Sequence, residues 1–94
     1  MSVARVATFD ERPNLRADDD RRAQSLYDLL RSLPGFIAGY YLREPRTGRL
    51  MSMTLWESEG ALEAAERAVR DRPVEDQRGI RPSRVERWVV DASF

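Results

Sequence analysis

Apolar residues along this chain recur with two periods, and the switches between them divide it into six elements. Val3–Phe9 reads as a first strand, with Val3, Val6 and Phe9 among β-compatible neighbours. Residues 10–17 are polar, contain Pro13 and Asn14, and read as a loop. Ala23, Leu26, Tyr27, Leu30 and Leu33 then fall on one face at helical spacing, opposite Asp20, Arg22, Asp28 and Arg31. Asp18, Asp19 and Asp20 stand at the start of that helix, where carboxylates favour the positive end of its dipole. Pro34-Gly35 stops it.

Phe36–Arg43 and residues 50–57 predict a hairpin around Pro45-Arg46-Thr47-Gly48. A two- or four-residue loop gives the same pairing parity, so each strand's faces can be assigned. One face is expected to carry Ile37, Gly39, Tyr41, Ser52, Thr54 and Trp56. The other is expected to carry Phe36, Ala38, Tyr40, Leu42, Met51, Met53 and Leu55. Both are too apolar to face water, so one must meet helices and the other something outside the monomer. Ser58 reads as the N-cap of a second helix whose apolar side is Ala61, Leu62, Ala65, Ala68 and Val69. Residues 71–84 are polar, hold Pro73, Gly79 and Pro82, and form a connection long enough to be a binding segment or lid. Residues 85–92 read as the last strand. The order is βαββαβ: a single α+β domain of the ferredoxin-like type over residues 1–94, with two helices on one face of an antiparallel sheet.

Composition narrows the chemistry more than it names it. The chain has no cysteine and no histidine, which removes disulfides, thiol nucleophiles, the usual zinc sites, histidine-ligated haem and the commonest general base near neutral pH. All 16 basic residues are arginine, so Schiff-base chemistry is excluded as well. A net charge of zero argues against a broad nucleic-acid or anionic-membrane surface. Seven arginines lie between Arg67 and Arg87, but Glu66, Asp71, Glu75, Asp76 and Glu86 interleave them as on a solvated, salt-bridged surface. An RNA-recognition domain shares the element order, yet Arg49-Leu50-Met51-Ser52-Met53-Thr54 offers none of the aromatics its third strand needs. Asp18-Asp19-Asp20 is a poor metal site, because consecutive helical residues point in different directions. No apolar run approaches the ~20 residues that span a bilayer, and the first residues lack a signal peptide's apolar core; a cytoplasmic location is expected.

Three short segments carry a resemblance. Pro34-Gly35-Phe36, the Pro45-Arg46-Thr47-Gly48 turn and Leu55-Trp56-Glu57-Ser58 together resemble the antibiotic-biosynthesis monooxygenase (ABM) family, over nearly the whole chain. The resemblance implies a homodimeric α/β barrel in which two sheets pack across a two-fold axis, here through Phe36, Tyr40, Met51, Met53 and Leu55. It implies one of two chemistries. The haem-degrading branch places a tryptophan, here Trp56, against its ligand, but needs a histidine for iron and an asparagine on the first strand; this chain has no histidine, and its only asparagine is Asn14. The other branch oxidises polyketide-type aromatics without metal, flavin or other cofactor, by desolvating an electron-rich substrate and steadying its oxyanion.

On that reading a pocket for a small flat aromatic is floored by Gly39, Ser52 and Thr54 and walled by Trp56, Tyr41 and Ile37. Arg5 or Arg87 is the candidate to stabilise the anion, and Tyr27 or Tyr41 to hydrogen-bond it. The plainer readings are a tryptophan that plugs the gap between strand and helix, and charges and tyrosines that belong to the surface and the core edge. A non-catalytic ligand-binding or dimerisation module on the same fold is the alternative to an enzyme.

Overall fold

The computed structural model describes residues 1–10, 17–73 and 82–94, and at 17–20 and 22 the backbone alone. Expectations resting on Asn14, on residues 74–81 and on the Asp18, Asp19 and Asp20 carboxylates lie outside the described residues. The element order is β1 (Val3–Phe9), α1 (Ala17–Ser32), β2 (Phe36–Arg43), β3 (Leu50–Trp56), α2 (Glu59–Arg70) and β4 (Arg84–Val89). The strands form one antiparallel sheet in the order β2-β3-β1-β4. Both helices lie on the same face, α1 over β2 and α2 over β1 and β3, so the fold is α+β and ferredoxin-like.

Local chemistry explains where each element turns into the next. Gly35, at φ 84°, closes the end of α1 in a conformation that L side chains resist, and its carbonyl accepts the Glu57 N–H at 2.8 Å. In the hairpin the Glu44 N–H donates to the Arg49 carbonyl at 2.8 Å, leaving the four-residue loop 45–48 with Gly48 at φ 76°. The Glu44 carboxylate braces that loop by accepting from the Arg46 and Thr47 N–H groups at 3.1 and 2.6 Å and from the Thr47 hydroxyl at 2.7 Å. Those hydrogen bonds, led by the Thr47 hydroxyl, hold its carboxyl below the ordinary glutamate range. Ser58 is the N-cap of α2, its hydroxyl accepting the Ala61 N–H at 3.1 Å.

The core lies where the start of β1, the end of β3 and both helices meet. Val3, Trp56, Leu62 and Ala65 are buried there, with Leu30, Leu33, Phe36 and Ala61 packed against them. This corrects one expectation about β2. A bulge between Phe36 and Ala38 adds a residue to the strand, so Phe36 pairs with Trp56 and sits on the helix face, while Ile37 is 46% exposed and belongs to no rung of that face. From Gly39 to Arg43 the expected faces hold. The last strand also differs: it begins at Arg84 and ends at Val89, because its partner β1 begins at Val3 and only the Val90 N–H finds a further acceptor, the Ser2 carbonyl at 2.9 Å.

Candidate functional site

Alternation along four antiparallel strands turns the helix-covered face into a ladder of rungs. The first runs Val89, Val3, Trp56, Phe36; the second Arg87, Arg5, Thr54, Gly39; the third Val85, Ala7, Ser52, Tyr41. Six of the nine residues singled out from the sequence therefore share two adjacent rungs: Arg5, Arg87, Thr54, Gly39, Ser52 and Tyr41. Tyr27 reaches the same place from α1, its ring centroid 6.4 Å from that of Tyr41. The ring centroid of Phe9, from the end of β1, also lies 6.4 Å from that of Tyr41. Three aromatic rings thus stand at one end of a floor made of small side chains.

That floor is open in the places where bulk is missing. Gly39 is exposed and Ser52 and Thr54 are half-buried. The three atoms nearest to a Cβ built on Gly39 belong to the Phe36 ring and to Thr54 Cγ2, at 3.5 to 3.7 Å. Neighbouring strands lie roughly 4.8 Å apart, so Arg5 on β1 and Tyr41 on β2 stand about two such spacings apart across the sheet and one rung apart along it. A ring system laid over Thr54 and Ser52 would have a guanidinium at one end and phenols at the other. Burial raises the pKa of both Tyr27 and Tyr41, and the proximity of Tyr41 raises Tyr27 further. Both hydroxyls therefore stay protonated near neutrality and act as hydrogen-bond donors rather than bases.

Trp56 has a different position from the other candidates. It is 1% exposed, sits in the core cluster, meets Phe36 edge to face at 5.4 Å, and donates its indole N–H to Thr54 Oγ1 at 3.0 Å. Its ring is held in the core one rung away from the floor, and Thr54 carries the connection between the two. A separate groove of about 250 Å³ lies between the Leu33-Pro34-Gly35 turn, Glu57 and the alanines of α2; none of the candidate residues lines it. Among the described residues no group of three or more acidic, cysteine or histidine side chains is placed to hold a metal ion.

Solved structures share this fold. SnoaB, a cofactor-independent oxygenase from Streptomyces nogalater, superposes with a TM-score of 0.73 at 15% identity, covering 98% of this chain and 95% of that one. The haem-degrading protein Rv3592 from Mycobacterium tuberculosis gives 0.72 at 17%, covering 100% and 99%. A protein described as an antibiotic biosynthesis monooxygenase from Chloroflexus aurantiacus gives 0.72 at 14%, covering 100% and 97%. The chain shares the ferredoxin-like α+β fold of these proteins. No protein-family model matches it, and no curated protein sequence does.

Within this fold, the second rung holds the charges that the sequence could not sort. Arg87, on the edge strand β4, donates from Nη2 to both oxygens of Glu66 at 3.0 and 2.9 Å, and its Nη1 lies 3.6 Å from Glu59 and from Glu63. Glu66, foremost, and then Glu63 and Glu59 raise its already high proton affinity. Arg5 stands beside it with Nε 3.9 Å from Glu66 Oε1. Glu66 was not singled out from the sequence, although its spacing from Glu59 and Glu63 marks an acidic stripe on one side of α2.

Proposed function

We propose that this chain is a cofactor-independent monooxygenase acting on a small aromatic of the polyketide type, and that it works as a homodimer joined through the uncovered face of its sheet. The observation that carries the reading is the small-residue floor of Gly39, Ser52 and Thr54 between an aromatic wall of Phe9, Tyr41 and Tyr27 and the guanidinium of Arg5. A planar phenol on that floor is desolvated and meets a positive charge and phenolic donors. Those groups favour its anion, and the anion is electron-rich enough to reduce oxygen. In the overall reaction a ring C–H becomes C=O; one atom of O₂ enters the product and the other leaves as water. Proton loss is assisted by the guanidinium rather than by a titrating base, since the chain has neither histidine nor cysteine. The likeness to a cofactor-independent oxygenase supports this chemistry; the lack of histidine counts against the haem degradation of the other neighbour.

The test is oxygen uptake by chelator-treated protein given a dihydroxynaphthalene. One O₂ should be consumed per hydroxynaphthoquinone formed, and Ser52→Phe, which fills the floor, should abolish the reaction. Activity that appears only after addition of haem, flavin or metal would sink the mechanism. The burial of Trp56 favours a second reading, a ligand-binding or dimerisation module without catalysis, because the indole offers no free face to a ligand. Binding of the naphthalene without oxygen uptake would select that reading.

A further inference from the structure

The two arginines of the second rung are neighbours on paired strands, yet their donors are disposed differently. The Arg87 guanidinium is enclosed by carboxylates: Glu66 on Nη2 at 2.9 and 3.0 Å, Glu59 and Glu63 at 3.6 Å from Nη1. Positions 59, 63 and 66 fall on one side of α2, which crosses β1 and β3. Arg5 receives only the far end of this set. Its Nε lies 3.9 Å from Glu66 Oε1, too far for a hydrogen bond, and is buried without a partner, in a side chain that is 30% exposed. A buried donor with no acceptor is unfavourable unless a ligand supplies one. Of the two cations, Arg87 is the one bound to a carboxylate by hydrogen bonds, and Arg5 is the one with an unmatched donor.

We infer that Arg5 is the cation that meets the substrate, that the substrate is an aromatic bearing an oxyanion (carboxylate or phenolate), and that Arg87 is a positioning residue. By holding Glu66, Arg87 keeps that carboxylate from closing the remaining gap to Arg5 and cancelling its charge. The inference rests on the reading of the small-residue floor as an aromatic site, and adds which charge the site selects and how that charge is kept available.

Equilibrium dialysis with a matched pair of probes, naphthol and a hydroxynaphthoate, tests it. The wild type should bind the naphthoate about tenfold more tightly than naphthol, the worth of one charge-assisted hydrogen bond. Arg5→Gln should erase that preference by weakening the naphthoate to the level of naphthol. Arg87→Gln should also weaken the naphthoate several-fold, since Glu66 then pairs with Arg5, and the double variant Arg87→Gln with Glu66→Gln should restore it. A merely structural role for Arg87 would move both probes together and would not be rescued by removing a second charge. Glu66→Gln alone should bind the naphthoate at least as tightly as wild type; this variant and the rescued double variant decide the matter if Arg5→Gln does not fold. The inference is overturned if the preference survives in Arg5→Gln, or if Glu66→Gln weakens the naphthoate. If naphthol binds and a dihydroxynaphthalene is oxidised but no preference for the anion exists, the inference alone fails. If neither probe binds, the floor is no aromatic site and both readings fall.

Discussion

Trp56 is enclosed by Phe36, Leu62 and Ala65 on the helix side of the sheet and tied by its N–H to Thr54. A side chain so placed contributes mainly through the apolar surface it hides, so Trp56→Ala should cost about 3–5 kcal/mol of unfolding free energy, read from urea denaturation. Loss of activity in that variant would therefore say little about ligand contact, and Ser52→Phe or Arg5→Gln is the cleaner probe of the site. Tyr27 and Tyr41 offer a second residue-scale test. Their folded pKa values lie above the ordinary 10.0 through burial, with Tyr41 adding to the shift at Tyr27. The folded state thus holds these protons more tightly than the unfolded state does. The associated stability is present in full below pH 10 and is lost as pH rises through 10 toward the raised values. Denaturation measured between pH 9 and 11 should show that decline, and a variant with both tyrosines changed to phenylalanine should show less of it. A flat profile in the wild type would mean that the two phenols are solvated like free tyrosine.

At the scale of elements, the close approach of the β2 start to α2 rests on Gly35. A Cβ there would lie 2.5 Å from the Ala61 Cβ, and its φ of 84° is left-handed. Gly35→Ala therefore meets a steric barrier and a conformational one. The clash is with a short side chain on a packed helix, so the helix itself must shift. We expect destabilisation of about 2–4 kcal/mol, against about 1 kcal/mol for removal of the Ser58 cap by Ser58→Ala; differential scanning calorimetry of the two variants checks the order.

These elements were legible in the chain because alternation and helical spacing mark them and Pro34-Gly35, Pro45 to Gly48 and Ser58 punctuate them. The bulge was not. Phe36 and Ile37 are both apolar, so the pattern is equally satisfied with or without an extra residue, and only the pairing of Phe36 with Trp56 and Ala38 with Leu55 reveals it. Most of the candidate site follows from parity beyond Gly39, which the four-residue loop fixes. The distinction between Arg5 and Arg87 does not, since it depends on which strand α2 lays its glutamates against, a tertiary fact with no local signal.

At the scale of the molecule, the sheet has helices on one side only. The protein measures 37 × 34 × 20 Å, a two-layer slab, and exposes 7216 Å² where about 5,600 Å² is usual for a folded monomer of this mass. Part of that excess is the outer face, where Tyr40, Leu42 and Trp88 are 55, 41 and 56% exposed beside half-buried Met51, Met53 and Leu55. Trp88 joins the surface expected from the sequence, and Phe36 leaves it. Each partner of a stable pair hides about 800 Å², which a face of this extent can supply, so the homodimer should form through it. Met53 lies at its centre, paired with Val6 on one side and Tyr40 on the other. Met53→Asp would place a carboxylate in that contact without a partner, and sedimentation should show the wild type at twice the chain mass and the variant at once. A wild type that sediments as a monomer at micromolar concentration would remove this face as an interface. The proposed site lies on the opposite side of the same strands, and the residues that define it come from one chain. A folded monomeric Met53→Asp protein should therefore still bind naphthol; loss of binding along with the dimer would mean that the partner contributes to the site.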